Sequence, residues 1–450
     1  MVRLERFSYA WSGASNWTLR DVSLEIPQGE CHWLSGASGS GKTSLALALK
    51  ELLPPGRQEG SLLLPSVPGT ARTAVGLVLQ NPETQILTES IGAEVAFGLE
   101  NLCLPATEMP RRVRAALDAV GLDLPFDHPT VRMSMGQKYR LLLAAQLVMD
   151  PALLILDEPA GQLDEEGLQS LAAIIARLKT QGLSVLLCEH RPGPLRTVID
   201  RQWRLEATGR LSDEVFDPPF HPGCLSNPLL TGDGPPVVEA RGVTVAAMDA
   251  SPAWQEVDLL LQGGEQALLC APNGAGKTTL LRCLAGLIRP CRGSIRICGQ
   301  PPVVDWPHSR IGYLFQNPRR QLFETSVFDE VAFSLRRRGM RRERVKILVD
   351  RVLDGCQLGH LAGRSPHHLS YGQQHLVALA SVLAREPELL LLDDPLAGLD
   401  PVTAGQVMAT LQLCVKERGT TILWTSHHPP QDGEWNHVTL GITGGRLVRH

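Results

Sequence analysis

The sequence predicts a duplicated α/β fold: two copies of one domain, each built on a parallel sheet with a helical segment inserted into it. Three observations carry this. Five motifs recur in the same order 235 to 237 positions apart: Lys42 with Lys277, Gln80 with Gln316, Ser134 with Ser370, Asp157 with Asp393, and His190 with His427. Each lysine motif lies between a short apolar run and a helical pattern, which reads as strand, loop and helix. Asp157 and Asp393 each end a run of Leu and Ile, the pattern of a strand buried on both faces.

The elements follow in order. Strands are expected at 31–34 and 267–270, before the lysine loops, and helices at 44–52 and 279–287, after them. Val113, Ala116, Leu117 and Val120 fall at helical spacing, and Val345, Leu348, Val349, Val352 and Leu353 trace the same stripe in the second copy. Both stripes lie between the glutamine and serine motifs, which places the helical segment inside the α/β core. The first copy spans about 1–213 and the second 237–450. Residues 214–236 are rich in Pro and Gly, lack amphipathic period and read as a linker.

Composition narrows the class. At 450 residues the chain is too long for one core of usual size. A net charge of -4 gives no general drive toward nucleic acid. No apolar run reaches the roughly 20 residues that cross a bilayer. The opening MVRLERFSYA lacks an apolar stretch, so no signal peptide is expected. Ten cysteines without a C-x-x-C read as reduced thiols of a cytosolic protein.

Residues 36–43, GASGSGKT, fit G-x-x-x-x-G-K-[ST]. Phosphates need many donors at close range, and glycines let a backbone wrap its N–H groups around them. Gly36, Ala37, Ser38, Gly39, Ser40, Gly41, Lys42, Thr43 and Ser44 form this cradle. Lys42 is expected to reach the β- and γ-phosphates of ATP, and Thr43 to ligate Mg²⁺. The second cradle holds Asn273, Gly274, Ala275, Gly276, Lys277, Thr278 and Thr279, but Ala271 stands where the first glycine is expected. Alanine fits there only at negative φ.

Asp157 and Asp393 are read as the carboxylates that hold Mg²⁺ through water, and the residue after each as the group that orients the attacking water. Here the copies differ: Glu158 in the first, Asp394 in the second. Aspartate is shorter by one methylene, and misplacing a catalytic group by ~1 Å can cost on the order of a hundredfold. The competing reading is that the backbone shifts to compensate. His190 and His427, each after a predicted strand, read either as γ-phosphate contacts or as packing residues. The pairs His367–His368 and His427–His428 lack a carboxylate partner and are not read as a metal centre.

Taken together these residues resemble the ABC transporter ATPase family. The marks are the P-loops, the Q-loops (Gln80, Gln316), the signatures (Ser134, Met135, Gly136, Gln137; Ser370, Tyr371, Gly372, Gln373), the Walker-B aspartates, the D-loops (Asp164, Asp400) and the H-loops (His190, His427). The resemblance implies a RecA-like α/β core, an antiparallel β subdomain and an inserted helical subdomain in each half. It implies ATP and Mg²⁺, with Gln80 and Gln316 joining the metal ligands. It casts Tyr9 as the aromatic that stacks on adenine, with Val245 at the matching position. It also implies intramolecular pairing, in which each nucleotide is clasped by the P-loop of one half and the signature of the other. The first composite site would join Lys42, Gln80, Asp157, Glu158 and His190 to Ser370 and Gly372. The second would join Lys277, Gln316, Asp393, Asp394 and His427 to Ser134 and Gly136. Asp394, Ala271, Val245 and the altered signature MSMGQ suggest that the first site hydrolyses well and the second mainly holds ATP.

The segments QNPETQILTESIGAEVAFGLEN and QNPRRQLFETSVFDEVAFSL are similar to those of energy-coupling-factor and cobalt-type importer ATPases. That similarity implies an energy-coupling-factor T-like integral membrane subunit and a separate substrate-binding membrane subunit. The cargo would be a vitamin, a vitamin precursor, or cobalt or nickel, and the chain would sit peripherally at the cytoplasmic face of the membrane. Ile86, Leu87, Leu322 and Phe323 would either meet the membrane subunit or pack the subdomain. The basic run at 335–346 reads as a solvated helix entry or as a contact with anionic lipid. A rival class, soluble tandem ABC proteins acting on ribosomes, normally carries a long charged helical linker and a basic balance, and this chain has neither. A chromosome-structuring ATPase would need a coiled-coil or zinc insertion that is absent.

Overall fold

The structure, a computed structural model, describes residues 2–14, 16–37, 39–64, 74–80, 82–161, 163–190, 192–213, 234–246, 252–271, 274–302, 310–426, 438–443 and 446–449. The chain divides into two compact units, Met1–Pro218 and Pro219–His450. Most of the expected linker, 214–233, lies outside the described residues, and its last residue, Pro236, is the first of a strand.

The first unit opens with β1 (Val2–Trp11), β2 (Leu19–Ile26), β3 (Cys31–Ser35), α1 (Lys42–Leu49) and β4 (Gly56–Leu63). It continues with β5 (Val75–Val78), α2 (Ile91–Asn101), α3 (Met109–Ala119), α4 (Met135–Leu147) and β6 (Leu153–Asp157). It ends with α5 (Glu165–Thr180), β7 (Ser184–Cys188), β8 (Arg201–Leu205) and β9 (Leu211–Asp213). A three-stranded antiparallel sheet runs β2-β1-β4, and a six-stranded sheet runs β5-β6-β7-β3-β8-β9. In the larger sheet only β9 is antiparallel to its neighbour.

The second unit repeats the plan with β10 (Pro236–Ala246), β11 (Pro252–Gln262), β12 (Gln266–Cys270), α6 (Lys277–Leu284), β13 (Arg292–Ile297) and β14 (Ile311–Leu314). Then come α7 (Val327–Arg337), α8 (Arg342–Gly355), α9 (Tyr371–Leu383), β15 (Leu389–Leu392), α10 (Pro401–Arg418), β16 (Thr421–Ser426), β17 (Val438–Thr443) and β18 (Arg446–Arg449). Its sheets run β11-β10-β13 and β14-β15-β16-β12-β17-β18.

This topology positions the site. Strands β5, β6, β7 and β3 are parallel and in register, with Val78 level with Leu156, Asp157 with Cys188 and Leu34 with Cys188. The loops leaving them therefore emerge at one edge of the sheet, the edge where open α/β sheets gather ligands. Those loops carry Gln80, Glu158, His190 and the P-loop. The helices after the P-loops begin at Lys42 and Lys277, two residues before the sequence pattern suggests. Gly41 (φ 107) and Gly276 (φ 87) absorb the sharp entry, so the lysine itself is the first helical residue. In each unit the inserted helices join the sheet in one apolar cluster. Val113, Leu117, Leu142 and Leu154 meet in the first, and Val345, Val349, Leu379 and Leu390 in the second.

Two segments with alternative readings are placed as follows. Within each Q-loop pair, one apolar residue packs and the other is presented to solvent. Ile86 packs against the core and Leu322 lies within it, while Leu87 is 68% and Phe323 58% exposed. The basic run joins α7 to α8, where Arg336 pairs with Asp329 at 2.8 Å and Arg338 donates to the Arg385 carbonyl at 3.3 Å. Leu322→Ala is expected to cost about 2–5 kcal/mol. Phe323→Ala, which loses an edge-on contact with Phe333 from a side chain already largely exposed, should cost less than about 1.5 kcal/mol. Urea unfolding of the two variants measures the difference.

Candidate active site

Lys42 begins α1 with its ammonium folded back onto its own loop, donating to the Gly36 carbonyl at 2.7 Å and the Ala37 carbonyl at 3.2 Å. Around it gather Glu158 Oε1 at 3.8 Å and His190 Nε2 at 3.4 Å. His190 Nε2 lies 3.1 Å from the same Glu158 oxygen, and Gln80 Nε2 donates to the other at 2.6 Å. Thr43 Oγ1 donates to Asp157 Oδ2 at 3.1 Å. Thus Lys42, Thr43, Gln80, Asp157, Glu158 and His190 form one bonded cluster, drawn from four loops.

Among the described residues of this unit three side-chain polar atoms are buried without a protein partner, and two of them, Asp157 Oδ1 and Ser40 Oγ, belong to the site, the third being the Tyr139 hydroxyl. An anionic oxygen beside a threonine hydroxyl is the donor set of a hydrated Mg²⁺, and a free hydroxyl in a glycine loop suits a phosphate oxygen. The residues therefore fit a magnesium nucleotide. Gly36 is required by space as well, since a Cβ there would lie 2.6 Å from the Leu205 carbonyl.

Asp157 is 3% exposed. Burial, then the neighbouring Glu158 charge, push its carboxyl up to about 6, against the opposing pull of Thr43, Lys42 and His190.

In the second unit Lys277 Nζ donates to the Ala271 carbonyl at 2.6 Å, and Thr278 Oγ1 to Asp393 Oδ1 at 3.0 Å. Ala271 is absent from the positive-φ residues, so the alanine is accommodated by its backbone. Glu158 and Asp394 both adopt positive φ, 52° and 49°, a strained conformation for a side-chain-bearing residue. The φ angles match, so a difference in φ does not offset the shorter aspartate. Gln316 is exposed, and its carbonyl accepts from the Tyr371 hydroxyl at 3.3 Å.

The signatures have a local explanation. Ser134 and Ser370 are the N-caps of α4 and α9, each in a reciprocal box with its glutamine. Ser134 N donates to Gln137 Oε1 at 2.9 Å while Gln137 N donates to Ser134 Oγ at 3.3 Å. Ser370 and Gln373 repeat this at 3.1 and 3.3 Å. A Cβ on Gly136 would meet Leu163 at an ordinary 3.9 Å, whereas one on Gly372 would lie 2.9 Å from Thr403. Asp164 and Asp400 cap α5 and α10.

One expectation fails. Tyr9 is 0% exposed, lies in the core between β1 and the helix-bearing sheet, and donates its hydroxyl to the Pro54 carbonyl at 3.0 Å. It cannot stack on adenine, and Val245, equally buried, is no deficit by comparison. The exposed aromatic is Trp11, two residues on, 41% exposed and edge-on to Tyr9 at 5.5 Å. The strand it ends leads to Thr18, whose carbonyl lies 3.1 Å from a Cβ placed on Gly41. The position matching Trp11 in the repeat is Ala247, outside the described residues. Ser38, Asn273 and His427 also lie outside them.

Sequence reasoning missed the positioning role of five residues. Glu189, buried, accepts from His190 N at 2.7 Å and Ala160 N at 2.9 Å, tying the histidine to the turn after Glu158. Gln85 and Gln321 each pin a Q-loop by a two-way amide bond to the strand end. Glu94 and Glu330 each accept two backbone N–H groups from the residues they follow, at 2.8–3.0 Å. Their repetition at matching positions was the available signal. Among the described residues no cluster of three metal-ligating side chains occurs, and no helix is long and apolar enough to cross a membrane.

The family model described as ABC transporter matches residues 19–161 and 254–397. A protein of Methanosarcina acetivorans, provisionally named an ABC transporter ATP-binding protein, is 33% identical over 99% of this chain and 85% of its own. One of Bacillus subtilis, provisionally named the HMP/thiamine import ATP-binding protein YkoD, is 30% identical over 95% of this chain and 87% of its own. The solved structure of CbiO1 from Clostridium perfringens, part of the ABC transporter complex CbiONQ, is 29% identical. It covers 47% of this chain and 87% of that one, with a TM-score of 0.44.

Because the Asp157 carboxyl is raised, the folded chain binds more protons than the unfolded chain between about pH 4 and 6. Its stability therefore falls as pH rises through that window, and the cost is complete above it. Asp157→Asn should raise the melting temperature of the nucleotide-free protein at pH 7.5, by a stabilisation of about 1–3 kcal/mol. The gain should shrink toward pH 5, as calorimetry of the two proteins across pH will measure.

Proposed function

The chain belongs to the ABC transporter family, whose ATPases hydrolyse ATP with Mg²⁺, and on that footing we propose that it energises an importer of the energy-coupling-factor type through two unequal ATP sites. The observation that carries the catalytic part is the first unit's cluster, in which Lys42, Glu158, His190 and Gln80 converge beside an unpartnered Asp157 oxygen.

Each of these residues has a task in hydrolysis. Lys42 leaves its loop carbonyls to neutralise the β- and γ-phosphates. Mg²⁺ supplies Lewis-acid polarisation of the phosphate oxygens, and Thr43, Asp157 and Gln80 would hold it. Glu158, at its strained φ, takes a proton from the attacking water. His190, fixed by Glu189, holds the terminal phosphate, and Gln80 ties that centre to the Q-loop. Trp11 is the surface on which adenine would stack.

In the proposed assembly, the first site is completed by Ser370 and Gly372, and the second, built on Lys277, Thr278, Gln316, Asp393, Asp394 and His427, by Ser134 and Gly136. Support comes from the capped signature helices, whose N-termini carry the positive end of the helix dipole and suit a phosphate supplied from outside the unit. Asp394, shorter than Glu158 at a matching φ, supports unequal turnover.

The importer reading rests on the duplicated Q-loop segment and on the similarity to the B. subtilis protein. In each half, glutamine and glutamate hold this segment rigid while Leu87 or Phe323 is held out from it. That is a fit for the apolar face of a membrane subunit's helix. The membrane partners would be a transport subunit and a substrate-binding subunit, with this chain peripheral at the cytoplasmic face.

Glu158→Gln should lower ATP turnover by about a hundredfold or more, while Asp394→Asn should lower it less than about threefold. Equal losses in steady-state assays would reject unequal sites. Purified at raised salt from detergent-solubilised membranes, the chain should bring integral membrane proteins with it. Leu87→Asp with Phe323→Asp should release them without loss of ATP binding. Recovery with ribosomes and no membrane protein would overturn the importer reading.

A further inference from the structure

The two Walker-B aspartates meet different surroundings. Asp157 accepts one side-chain bond, from Thr43 to Oδ2, and its Oδ1 is orphaned. Asp393 accepts three. Thr278 and Thr425 donate to Oδ1 at 3.0 and 3.1 Å, and Tyr313 donates to Oδ2 at a long 3.5 Å. Arg282, on α6, lies near enough for its positive charge to act on both the Tyr313 hydroxyl and the aspartate. Thr425 is fixed in turn, since its Oγ1 accepts from Asp394 N at 2.9 Å.

These donors come from three elements, and the repeat shows what each replaces. Arg282 corresponds to Leu47, Tyr313 to Leu77 and Thr425 to Cys188. Leu77 and Cys188 are buried, and neither leucine can donate a hydrogen bond. The second half thus differs from the first in a concerted way, at three positions around one carboxylate.

A Walker-B aspartate anchors Mg²⁺ by offering its lone pairs to the metal's water. Hydroxyls that occupy those lone pairs, backed by a fixed cation, compete for the same role. We propose that the second half holds its nucleotide with little dependence on Mg²⁺: beyond the P-loop threonine bond common to both halves, Thr425, Tyr313 and Arg282 meet the charge of Asp393 that the metal meets in the first half. This rests on the reading that both P-loops bind ATP and deepens its inequality. One site needs the metal for binding and turnover, and the other is a metal-tolerant holding site.

The test uses the full chain with one P-loop disabled at a time and a fluorescent ATP analogue, titrated with excess Mg²⁺ and with EDTA. In Lys277→Ala, where the first P-loop remains, removing Mg²⁺ should weaken binding by about tenfold or more. In Lys42→Ala, where the second remains, it should weaken binding by less than about threefold. Adding Arg282→Leu, Tyr313→Leu and Thr425→Cys to Lys42→Ala should restore dependence of at least about tenfold. Circular dichroism checks that this variant folds. Should it not fold, Tyr313→Phe alone, which removes only the hydroxyl, should raise the dependence severalfold. Equal dependence at the two P-loops overturns this inference and leaves the ATPase reading standing. Absence of analogue binding in the unmodified chain overturns both.

Discussion

Asp157 and Asp393 each end a strand of leucines, where a charge is taken out of water at the edge of an apolar sheet. Such a charge is costly unless something meets it. Thr43 and Thr278 supply one bond each from the P-loop helices. The rest of each half is arranged so that more can be brought. Parallel strands in register deliver the lysine, glutamine, glutamate or aspartate, and histidine positions to the same edge. In the first half the remaining demand is left on a buried, unpartnered oxygen, so the site is unfinished without its ligand. In the second half the protein itself has met much of that demand. The contrast between the halves is therefore electrostatic before it is catalytic, and the Glu158 to Asp394 difference is one part of a wider change.

The signature motif shows the same economy of local and distant roles. Serine and glutamine close a capping box on their own helix, so both are fixed before any phosphate arrives. The box satisfies two N–H groups at each helix start, those of the N-cap and of the third helical residue, and holds the helix end, where an anion is favoured, in a fixed shape. Met135 in the first half and Tyr371 in the second occupy the variable position inside the box without disturbing it. The altered signature MSMGQ thus keeps its local geometry, and its sequence departure alone says little about its strength.

Much of this was legible in the sequence because it is periodic or punctuated. The repeat, the leucine strands, the P-loops and the helical stripes each leave a pattern over many residues. Their ends were less legible: the P-loop helices start two residues early because left-handed glycines compress the turn. Tyr9 misled for a physical reason. Aromatic character near the end of a strand is visible, but how far the core extends along that strand is not. Tyr9 and Trp11 follow in unbroken register with β4, and the core covers Tyr9 while leaving Trp11, the last residue of β1, exposed. The Asp393 donors were invisible for another reason. Arg282, Tyr313 and Thr425 are distant in sequence, unremarkable singly, and meaningful only when β14, β16 and α6 bring them to one carboxylate. Glu189, Gln85 and Glu94 act on backbone groups, which sequence spacing alone does not reveal.

The central claim is that one aspartate in this chain awaits a metal ion and the other does not. Electron paramagnetic resonance of Mn²⁺ bound with ATP to the Glu158→Gln chain counts the sites directly. The account predicts a single tight Mn²⁺ per chain, abolished by Asp157→Asn and retained in Asp393→Asn. Two equally tight ions, or loss of the tight ion in Asp393→Asn, would contradict it.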